Sequence, residues 1–277
     1  MKRKKVKLSG AVLKTLLIIL LITDVYPFIW MLLSSFKKNV EFSESMFALP
    51  KQLYFQNYIE AYRLADIAVL FKNTAIVTFV SITIIWFLSA TMAFAITKMR
   101  WRLSGPTLTF VQLGMFIPAF VLLLPQFLLL QKLSLLNTLW ALILVFSTNI
   151  SMSVYLLTGF YRALPDEILE AAVIDGCSIY QTFWRIAAPM SVNGYMTIIM
   201  LAFVNIWNDL LISQTFVSST GKRMLQVGLA AFLDAKGARE WGPTFAAIVM
   251  SIFPTLVIYL ILNKKIIAGL SAGSLKG

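Results

Sequence analysis

The sequence contains no histidine and only one cysteine, Cys177. The absence of histidine excludes His-ligated metal sites and acid–base catalysis by imidazole. A single cysteine cannot form a disulfide within the chain. The sequence also lacks a G-x-x-x-x-G-K-[ST] segment, so it has no phosphate-binding loop of its own. These absences disfavour most enzyme classes.

Charged residues are scarce as well, at 13% of the 277 residues, whereas 59% of the residues are hydrophobic. A soluble domain carries about a quarter charged residues, so this composition indicates an integral membrane protein. The mean hydropathy of +0.82 agrees with that interpretation. Lys and Arg number 24 against 12 Asp and Glu. In so apolar a chain, this excess fits basic loops on the inner membrane face better than nucleic-acid binding.

Six apolar runs are long enough to cross a bilayer as helices, which takes about 20 residues each. They are residues 15–36, 69–97, 106–130, 139–161, 192–215 and 243–262. The runs are continuous rather than alternating, which favours helices over a β-barrel. The basic N-terminus imitates a signal peptide, but no small-x-small cleavage site follows, so we interpret the first run as an uncleaved span. The prediction is an all-α membrane protein with six transmembrane helices in a single transmembrane domain over residues 1–277.

Clusters of Lys and Arg predict the orientation of the spans. They lie beside spans one, two and six, at residues 2–7, at Lys98, Arg100 and Arg102, and at Lys264 and Lys265. Basic residues gather on the cytoplasmic side of membrane proteins. We therefore expect both termini to be cytoplasmic, with outer segments near residues 37–68 and 216–242.

The loop between spans four and five, residues 162–190, is acidic although it is predicted to lie on the cytoplasmic side. Its pattern predicts two short helices joined by a turn. Asp166 and Glu167 follow a proline and suit the first turn of a helix. Gly176 suits the left-handed residue that ends a helix.

Ser178 and Gln181 then form a capping box that opens the second helix, and Pro189 is predicted to end it. An amphipathic loop lying on the membrane surface is the simpler alternative, but such helices prefer Lys and Arg on their polar face. A protein partner with a basic or mixed groove fits the acidic loop better.

This loop resembles the EAA loop of ABC importer permeases. The residues that carry the resemblance, together with the apolar positions of the second helix, are Glu170, Ala171, Ala172, Asp175, Gly176, Ile179, Phe183 and Pro189. Further similar segments follow in order along nearly the whole chain, at residues 26–32, 36–37, 57–58, 73–78, 135–140, 207–209, 226–229 and 269–273. The set is most similar to the MalG-type permeases of type I importers, which serve binding-protein-dependent carbohydrate uptake.

The resemblance implies a fold of six transmembrane helices with a cytoplasmic helix–turn–helix coupling loop. It implies one permease subunit in the cytoplasmic (inner) membrane of a prokaryote, paired with a second homologous permease. A dimer of cytoplasmic ABC ATPases would hold the ATP and Mg, so no cofactor is expected in this chain. An extracytoplasmic solute-binding protein would deliver a sugar or oligosaccharide. Glu170 would pair with a cation of the ATPase, and Gly176 would allow the tight turn.

Polar residues within predicted spans mark a candidate solute path, because they are costly in lipid and often functional. The candidates are Asn149, Asn205, Trp207, Asn208 and Asp209, with the tryptophan as an aromatic platform. The alternative is that the amides hold one helix against another.

Three other functions remain open from the sequence. A permease of an ABC importer for a non-sugar solute would share the coupling loop. A secondary transporter would show matching halves with broken segments, which the sequence does not display. A membrane enzyme would need a catalytic cluster for which few residue types are available.

Overall fold

The computed structural model describes residues 10–99, 101–236 and 240–274, and these residues form helices joined by short loops, with no strand among them. The all-α prediction is therefore confirmed. In chain order the helices are α1 Gly10–Ser34, α2 Asn39–Glu44, α3 Gln56–Leu64, α4 Ile67–Lys98, α5 Ser104–Leu113, α6 Ala119–Lys132, α7 Leu139–Ser147, α8 Ser151–Arg162, α9 Asp166–Ile174, α10 Ile179–Met190, α11 Val192–Trp207, α12 Leu211–Phe216, α13 Leu225–Lys236 and α14 Trp241–Ser274. The predicted cytoplasmic position of the two chain ends and of Arg100 lies outside the described residues.

Three of the described helices are long and apolar enough to cross a membrane alone: Val12–Ser34, Ile67–Lys98 and Trp241–Ile261. Three helix pairs meet the same criterion only as bent pairs: α5 with α6, α7 with α8, and α10 with α11. Counting each pair as one span gives up to six spans. The count agrees with the predicted six, which stays a prediction because length and composition alone support it.

The bends are where the structure departs from the predicted continuous runs. The run at 106–130 is interrupted by a bend of 99° and the run at 139–161 by a bend of 44°. At the first bend, Ile117 and Pro118 are both extended, with ψ of 113° and 135°. A proline disfavours the helical conformation of the residue before it, which explains the break at this position. The run at 192–215 is also interrupted, since α11 ends at Trp207 and α12 begins at Leu211.

The chain divides into two units, Met1–Ile67 with Leu229–Ser251, and Ala68–Gly228 with Ile252–Gly277. In the first unit, the most apolar stretch of α1 has no buried residue, as expected for a helix surrounded by lipid. The segment after α1 is held by Asn57, whose Nδ2 donates to the carbonyls of Ser35 and Lys37 at 2.8 Å each. The buried Lys37 Nζ in turn donates to the carbonyls of Ser45 and Met46. This segment is therefore an ordered element and not a loose loop.

A buried carboxylate completes the same segment. Glu41 is 8% exposed and accepts hydrogen bonds from the backbone N–H of Lys51 at 2.9 Å and of Lys38 at 3.2 Å. The bond from Lys51 is the main reason why the pKa of Glu41 is lowered from its ordinary value. The ionised form of Glu41 thus stabilises the turn between α2 and the residues that precede α3.

The second unit holds two apolar clusters. The first contains residues of α4, α7 and α11 together with residues from the end of α12 to the start of α13, among them Val77, Leu142, Phe203, Phe216 and Leu225. The second joins the later part of α4 to α8, α10 and α11, through Phe94, Leu157, Tyr161, Phe183 and Ile198. Leu169 of α9 also belongs to the second cluster. The coupling loop predicted at 162–190 is therefore packed onto the transmembrane helices by its own apolar residues.

Candidate coupling loop and solute path

The predicted helix–turn–helix is present as α9 and α10. Gly176 has φ of +86°, the left-handed conformation predicted for it. The N–H of Cys177 donates to the carbonyl of Ala172 at 2.9 Å, and the N–H of Gly176 donates to that of Val173 at 3.0 Å. These bonds satisfy carbonyl groups at the end of α9 in the pattern of a Schellman motif. The turn is thus closed by backbone bonds and requires no partner protein to form.

The start of α10 is closed in the same local way. Ser178 Oγ accepts a hydrogen bond from the N–H of Gln181 at 3.3 Å, and Gln181 Oε1 accepts one from the N–H of Ser178 at 2.7 Å. This is the predicted capping box, and it satisfies two helix N–H groups reciprocally. The helix continues through Pro189 to Met190, with a π-helical turn over Phe183–Ala187. The prediction that Pro189 ends the helix is therefore wrong: the α10 helix reaches one residue further before the 75° bend into α11.

The two helices bury one face and expose the other. Leu169, Ala172 and Phe183 are buried, and Phe183 lies against Phe94 of α4 with ring centroids 5.1 Å apart. Phe183 therefore packs on the base of the loop. Exposed members of the predicted set, which a partner can reach, are Glu170, Ala171, Asp175, Gly176, Ile179 and Pro189.

Two large apolar side chains stand out on the exposed face. Ile174 is 85% exposed and Tyr180 is 77% exposed, one on each side of the Gly176 turn. An exposed apolar pair of this size beside exposed carboxylates is typical of a surface that contacts another protein. Beside them is a cavity of about 450 Å³ whose lining includes Lys98, Glu170 and Ile174.

Lys98, at the end of α4, is a residue of this site that the sequence analysis treated only as part of a basic cluster. Its side chain is 7% exposed. Its Nζ donates to the carbonyl of Leu164 at 2.8 Å and to the carboxylate of Asp166 at 2.6 Å. No spacing rule connects these residues, because Lys98 and Asp166 are 68 positions apart. The only indication in the sequence that the two side chains could pair is that they carry opposite charges.

The candidate path residues fall into two places. Asn149 is exposed and lies in the break between α7 and α8. Asn205, Asn208 and Asp209 line a cavity of about 540 Å³ together with residues of α6 and α12. The structure thus brings three of the candidates together, at the break between α11 and α12, and leaves Asn149 outside their cavity.

Each of these three polar residues also has a local bond. The Nδ2 groups of Asn205 and Asn208 donate to the carbonyls four residues earlier, at 3.0 and 2.9 Å. One oxygen of Asp209 accepts from both the N–H and the hydroxyl of Ser213 at 2.8 Å. Asp209 therefore caps the first turn of α12, and its charge stabilises that helix start. Asn208 Oδ1 also accepts a hydrogen bond from Gln226 Nε2 at 3.3 Å. Asn205 and Asn208 are both exposed and line the cavity.

Trp207 has a different environment from its two neighbours. It is 4% exposed, and its ring is stacked on Phe203 at 5.1 Å and in edge contact with Phe71 at 5.8 Å. In this conformation both contacts belong to the apolar cluster around α4, α7 and α11. Its predicted use as an aromatic platform remains a prediction, and the cavity lined by Asn205, Asn208 and Asp209 is formed without it.

Two asparagines outside the predicted set fix the segment that follows α12. The Asn137 N–H donates to the carbonyl of Phe216 at 2.8 Å, and its Oδ1 accepts from the N–H of Ser219 at 2.9 Å. Asn73 Nδ2 donates to the carbonyl of Arg223 at 3.0 Å. Both lie in segments that carry the family resemblance, and the structure gives the physical reason for the amides at those positions.

Comparison with known proteins adds independent information. The profile of the family described as "Binding-protein-dependent transport system inner membrane component" matches residues 86–264, which include α9, α10 and α11. The diacetylchitobiose uptake system permease protein NgcG of Streptomyces coelicolor is 30% identical over 271 residues, covering 96% of this chain and 89% of that protein. The trehalose/maltose transport system permease protein MalG of Thermococcus litoralis is 31% identical over 268 residues, covering 94% of both.

A solved structure shares the fold. A chain of a bacterial ABC transporter involved in the import of the acidic polysaccharide alginate matches with a TM-score of 0.84, over 95% of this chain and 98% of that chain. The identity is 22%, so this likeness concerns the fold alone.

Proposed function

The chain belongs to the family of binding-protein-dependent transport system inner membrane components, and from that premise we propose that it is the permease subunit of an ATP-driven importer for a sugar or oligosaccharide. As a member of that family it is a membrane subunit of an importer and not itself an enzyme. Hydrolysis of ATP, with its Mg, would take place on partner subunits.

A carbohydrate is the solute class that the relatives and the cavity chemistry favour. Two relatives at 30% and 31% identity are named for diacetylchitobiose and for trehalose and maltose. The cavity at the α11–α12 break offers two amides and a carboxylate among apolar residues such as Phe120 and Leu123. Amides and carboxylates bind hydroxyl groups, whereas apolar side chains suit the ring faces of a sugar. We propose Asn205, Asn208 and Asp209 as the solute-facing part of this subunit.

The observation that carries the coupling role is the rigid, locally closed pair α9–α10. A Schellman turn at Gly176 and a capping box at Ser178 hold the two helices without outside help. A pair of this stiffness can pass a displacement from one protein to another, whereas a flexible loop would absorb it. We propose that this loop inserts into a groove of a cytoplasmic ATPase subunit.

Charge and shape indicate how the ATPase would hold the loop. Glu170 is exposed beside the 450 Å³ cavity, and Ile174 and Tyr180 protrude on either side of the turn. A basic residue of the ATPase would pair with Glu170, and apolar residues would cover the two protruding side chains.

The remaining partners and the orientation follow from the same premise. The family description itself implies a solute-binding protein, and we place that protein on the extracytoplasmic side. A second, homologous permease would complete the path. The basic clusters near Lys98 and Lys264 favour cytoplasmic termini and an inner membrane location, with α9 and α10 on the cytoplasmic side.

The test is ATP hydrolysis by the assembled complex. The chain would be co-expressed with a second permease and an ABC ATPase from the same organism, purified as a complex and reconstituted in lipid nanodiscs. We expect hydrolysis to rise when the solute-binding protein is added together with its sugar, and not when the same protein is added with an amino acid. A purified chain that retains no ATPase subunit, or a complex that no carbohydrate stimulates, would contradict the proposal.

A further inference from the structure

Helix α4 contacts both helices of the coupling loop. Trp86 and Phe87 lie against the ring of Trp184 in α10, and two further contacts come from Phe94 and Lys98 near the end of α4. Phe94 and Lys98 are four positions apart, so they lie on the same face of α4. Phe94 meets α10 and Lys98 meets the start of α9. The loop is thus attached to a helix that is distant from it in sequence, in addition to its covalent connections with α8 and α11.

The contact made by Lys98 is specific in geometry. Its Nζ donates to the backbone carbonyl of Leu164 and to the carboxylate of Asp166, at 2.8 and 2.6 Å. The Lys98 side chain is 7% exposed, whereas the Asp166 side chain is 74% exposed. The ammonium group of Lys98 belongs to a buried side chain and is bonded to two acceptors. Separating it from them would leave a buried charge unpaired, which costs desolvation energy, so the bonds hold Leu164 and Asp166 in place.

Phe94 adds an apolar contact beside the polar one. It is 4% exposed, lies 5.1 Å from Phe183 between ring centroids, and lies 5.7 Å from Tyr161 in an edge-to-face arrangement. The Phe94 ring thus touches the second coupling helix and the helix that leads into the loop. Ring contacts are less directional than charge-assisted hydrogen bonds, so the bond made by Lys98 is the more specific of the two attachments.

We propose that Lys98 is a positioning residue that fastens α9 to α4, so that a displacement of the coupling loop moves α4 directly. This inference rests on the proposed coupling function of the loop. The covalent route from the loop leads through Ala163–Pro165 to α8 on one side and through the 75° bend to α11 on the other. Neither route reaches α4. Lys98 supplies a charge-assisted bond to α9, which neither the backbone nor the ring contacts between α4 and α10 provide.

The variants for the test are Lys98→Met, which keeps the length of the side chain and removes the charge, and Lys98→Arg, which keeps both donors and charge. Arg102→Met is the matched control, because Arg102 is an exposed cation on the same predicted side of the membrane. A charge exchange, Lys98→Glu with Asp166→Lys, tests the pair itself against Lys98→Glu alone.

The single native cysteine gives a readout that does not depend on transport. Cys177 lies in the turn between α9 and α10, and a nitroxide attached there reports the mobility of the loop in the purified full-length chain. We expect Lys98→Met to increase that mobility and, in the complete complex, to reduce sugar-stimulated hydrolysis at least fivefold while the ATPase subunit remains bound. Lys98→Arg and Arg102→Met should match the wild type, and the charge exchange should recover part of the loss.

Unchanged stimulation in Lys98→Met would overturn the inference, and so would an equal loss in Lys98→Met and Lys98→Arg, since that result would indicate a packing role. A charge exchange that performs no better than Lys98→Glu alone would also count against it. If the wild-type complex shows no stimulation at all, the proposed function fails. The mobility of the label then decides separately whether Lys98 holds the loop.

Discussion

Replacement of Gly176 tests whether the closed turn between α9 and α10 matters for coupling. Gly176 has φ of +86°, which L-amino acids rarely adopt. A Cβ added at this position would meet no atom within 4 Å. The Cβ of an alanine therefore causes no clash, and the cost of Gly176→Ala is conformational.

The size of that cost can be ordered by residue type. The left-handed conformation costs an ordinary L-residue about 1–2 kcal/mol, and Asn tolerates it better than most. We expect little loss for Gly176→Asn, about 1 kcal/mol for Gly176→Ala and about 2 kcal/mol or more for Gly176→Val, whose β-branch adds strain. A cost of 1–2 kcal/mol lowers the ratio of closed to open turn roughly 5- to 30-fold.

Amide hydrogen exchange at Cys177 measures this ratio directly, because its N–H donates to the carbonyl of Ala172 only when the turn is closed. The exchange rate should rise in the order Asn, Ala, Val, and sugar-stimulated hydrolysis by the complex should fall in the same order. Gly105→Ala is the control, since Gly105 has no positive φ and a Cβ there also meets no atom within 4 Å. Equal exchange rates in the Asn and Val variants would refute the conformational argument. A faster turn opening with undiminished hydrolysis would instead show that coupling does not need the turn.

Three further predictions concern the coupling loop and the candidate solute path. Glu170→Lys should release the ATPase subunit on purification, since a lost charge-assisted bond is worth about 1.5–3 kcal/mol and repulsion adds to it; an intact complex with full transport would remove the loop from the coupling role. Asp209→Leu should impair sugar uptake, and Asp209→Asn distinguishes the reasons, because Asn can still cap α12 but carries no charge. Normal uptake in both variants would exclude Asp209 from the path, whereas loss in the Leu variant alone would indicate the cap. In cells that lack the ATPase subunit, Cys177 should resist a membrane-impermeant maleimide while the cells are intact and react after permeabilisation; labelling of intact cells would reverse the predicted orientation.

The coupling loop could be predicted in detail because its structure is local. Gly176, Ser178 and Gln181 each satisfy backbone groups within five residues of themselves, and such bonds leave a recognisable pattern in the sequence. The helical character of the apolar runs could be predicted for a similar reason, since in lipid the backbone must form its bonds within each segment.

The breaks within the spans were harder to predict, because the length and mean hydropathy of an apolar run contain no information on backbone conformation. Pro118 lies at the 99° bend, whereas Pro125 lies inside the continuous helix α6. A proline therefore indicated where a break was possible and not whether it occurs. The break between α7 and α8 contains no proline. Asn149, which lies in this break, suggested only a candidate for the solute path and not a break in the helix.

Side-chain environment was the least predictable property of the site. Trp207 and Asn208 are adjacent in sequence, yet the tryptophan is 4% exposed and the asparagine is exposed. Successive residues of a helix point about 100° apart, so one can enter the core while the next faces a cavity. Which one does so depends on the neighbouring helices, here through Phe71 of α4, and a single sequence does not state which helices are neighbours.

The contact of Lys98 with Asp166 could not be predicted for the same reason, since a single sequence does not state which helices are neighbours. This contact matters for how the loop transmits a displacement. The local bonds that make the loop recognisable also make it stiff, but a stiff element transmits a displacement only to those parts to which it is fastened. Gly176 and Ser178 can explain why α9 and α10 move as one piece, and they cannot explain which transmembrane helix follows them. That choice is made by contacts distant in sequence, Lys98 with Asp166 and Phe94 with Phe183. Substitutions in the turn should therefore reduce coupling by loosening the α9–α10 pair itself, whereas substitutions at Lys98 should leave the turn closed and let the intact pair move without α4.

Two measurements at Cys177 separate these cases. Only the turn variants should accelerate hydrogen exchange at the Cys177 amide, whereas the turn variants and the Lys98 variants should both increase the mobility of a label on its side chain.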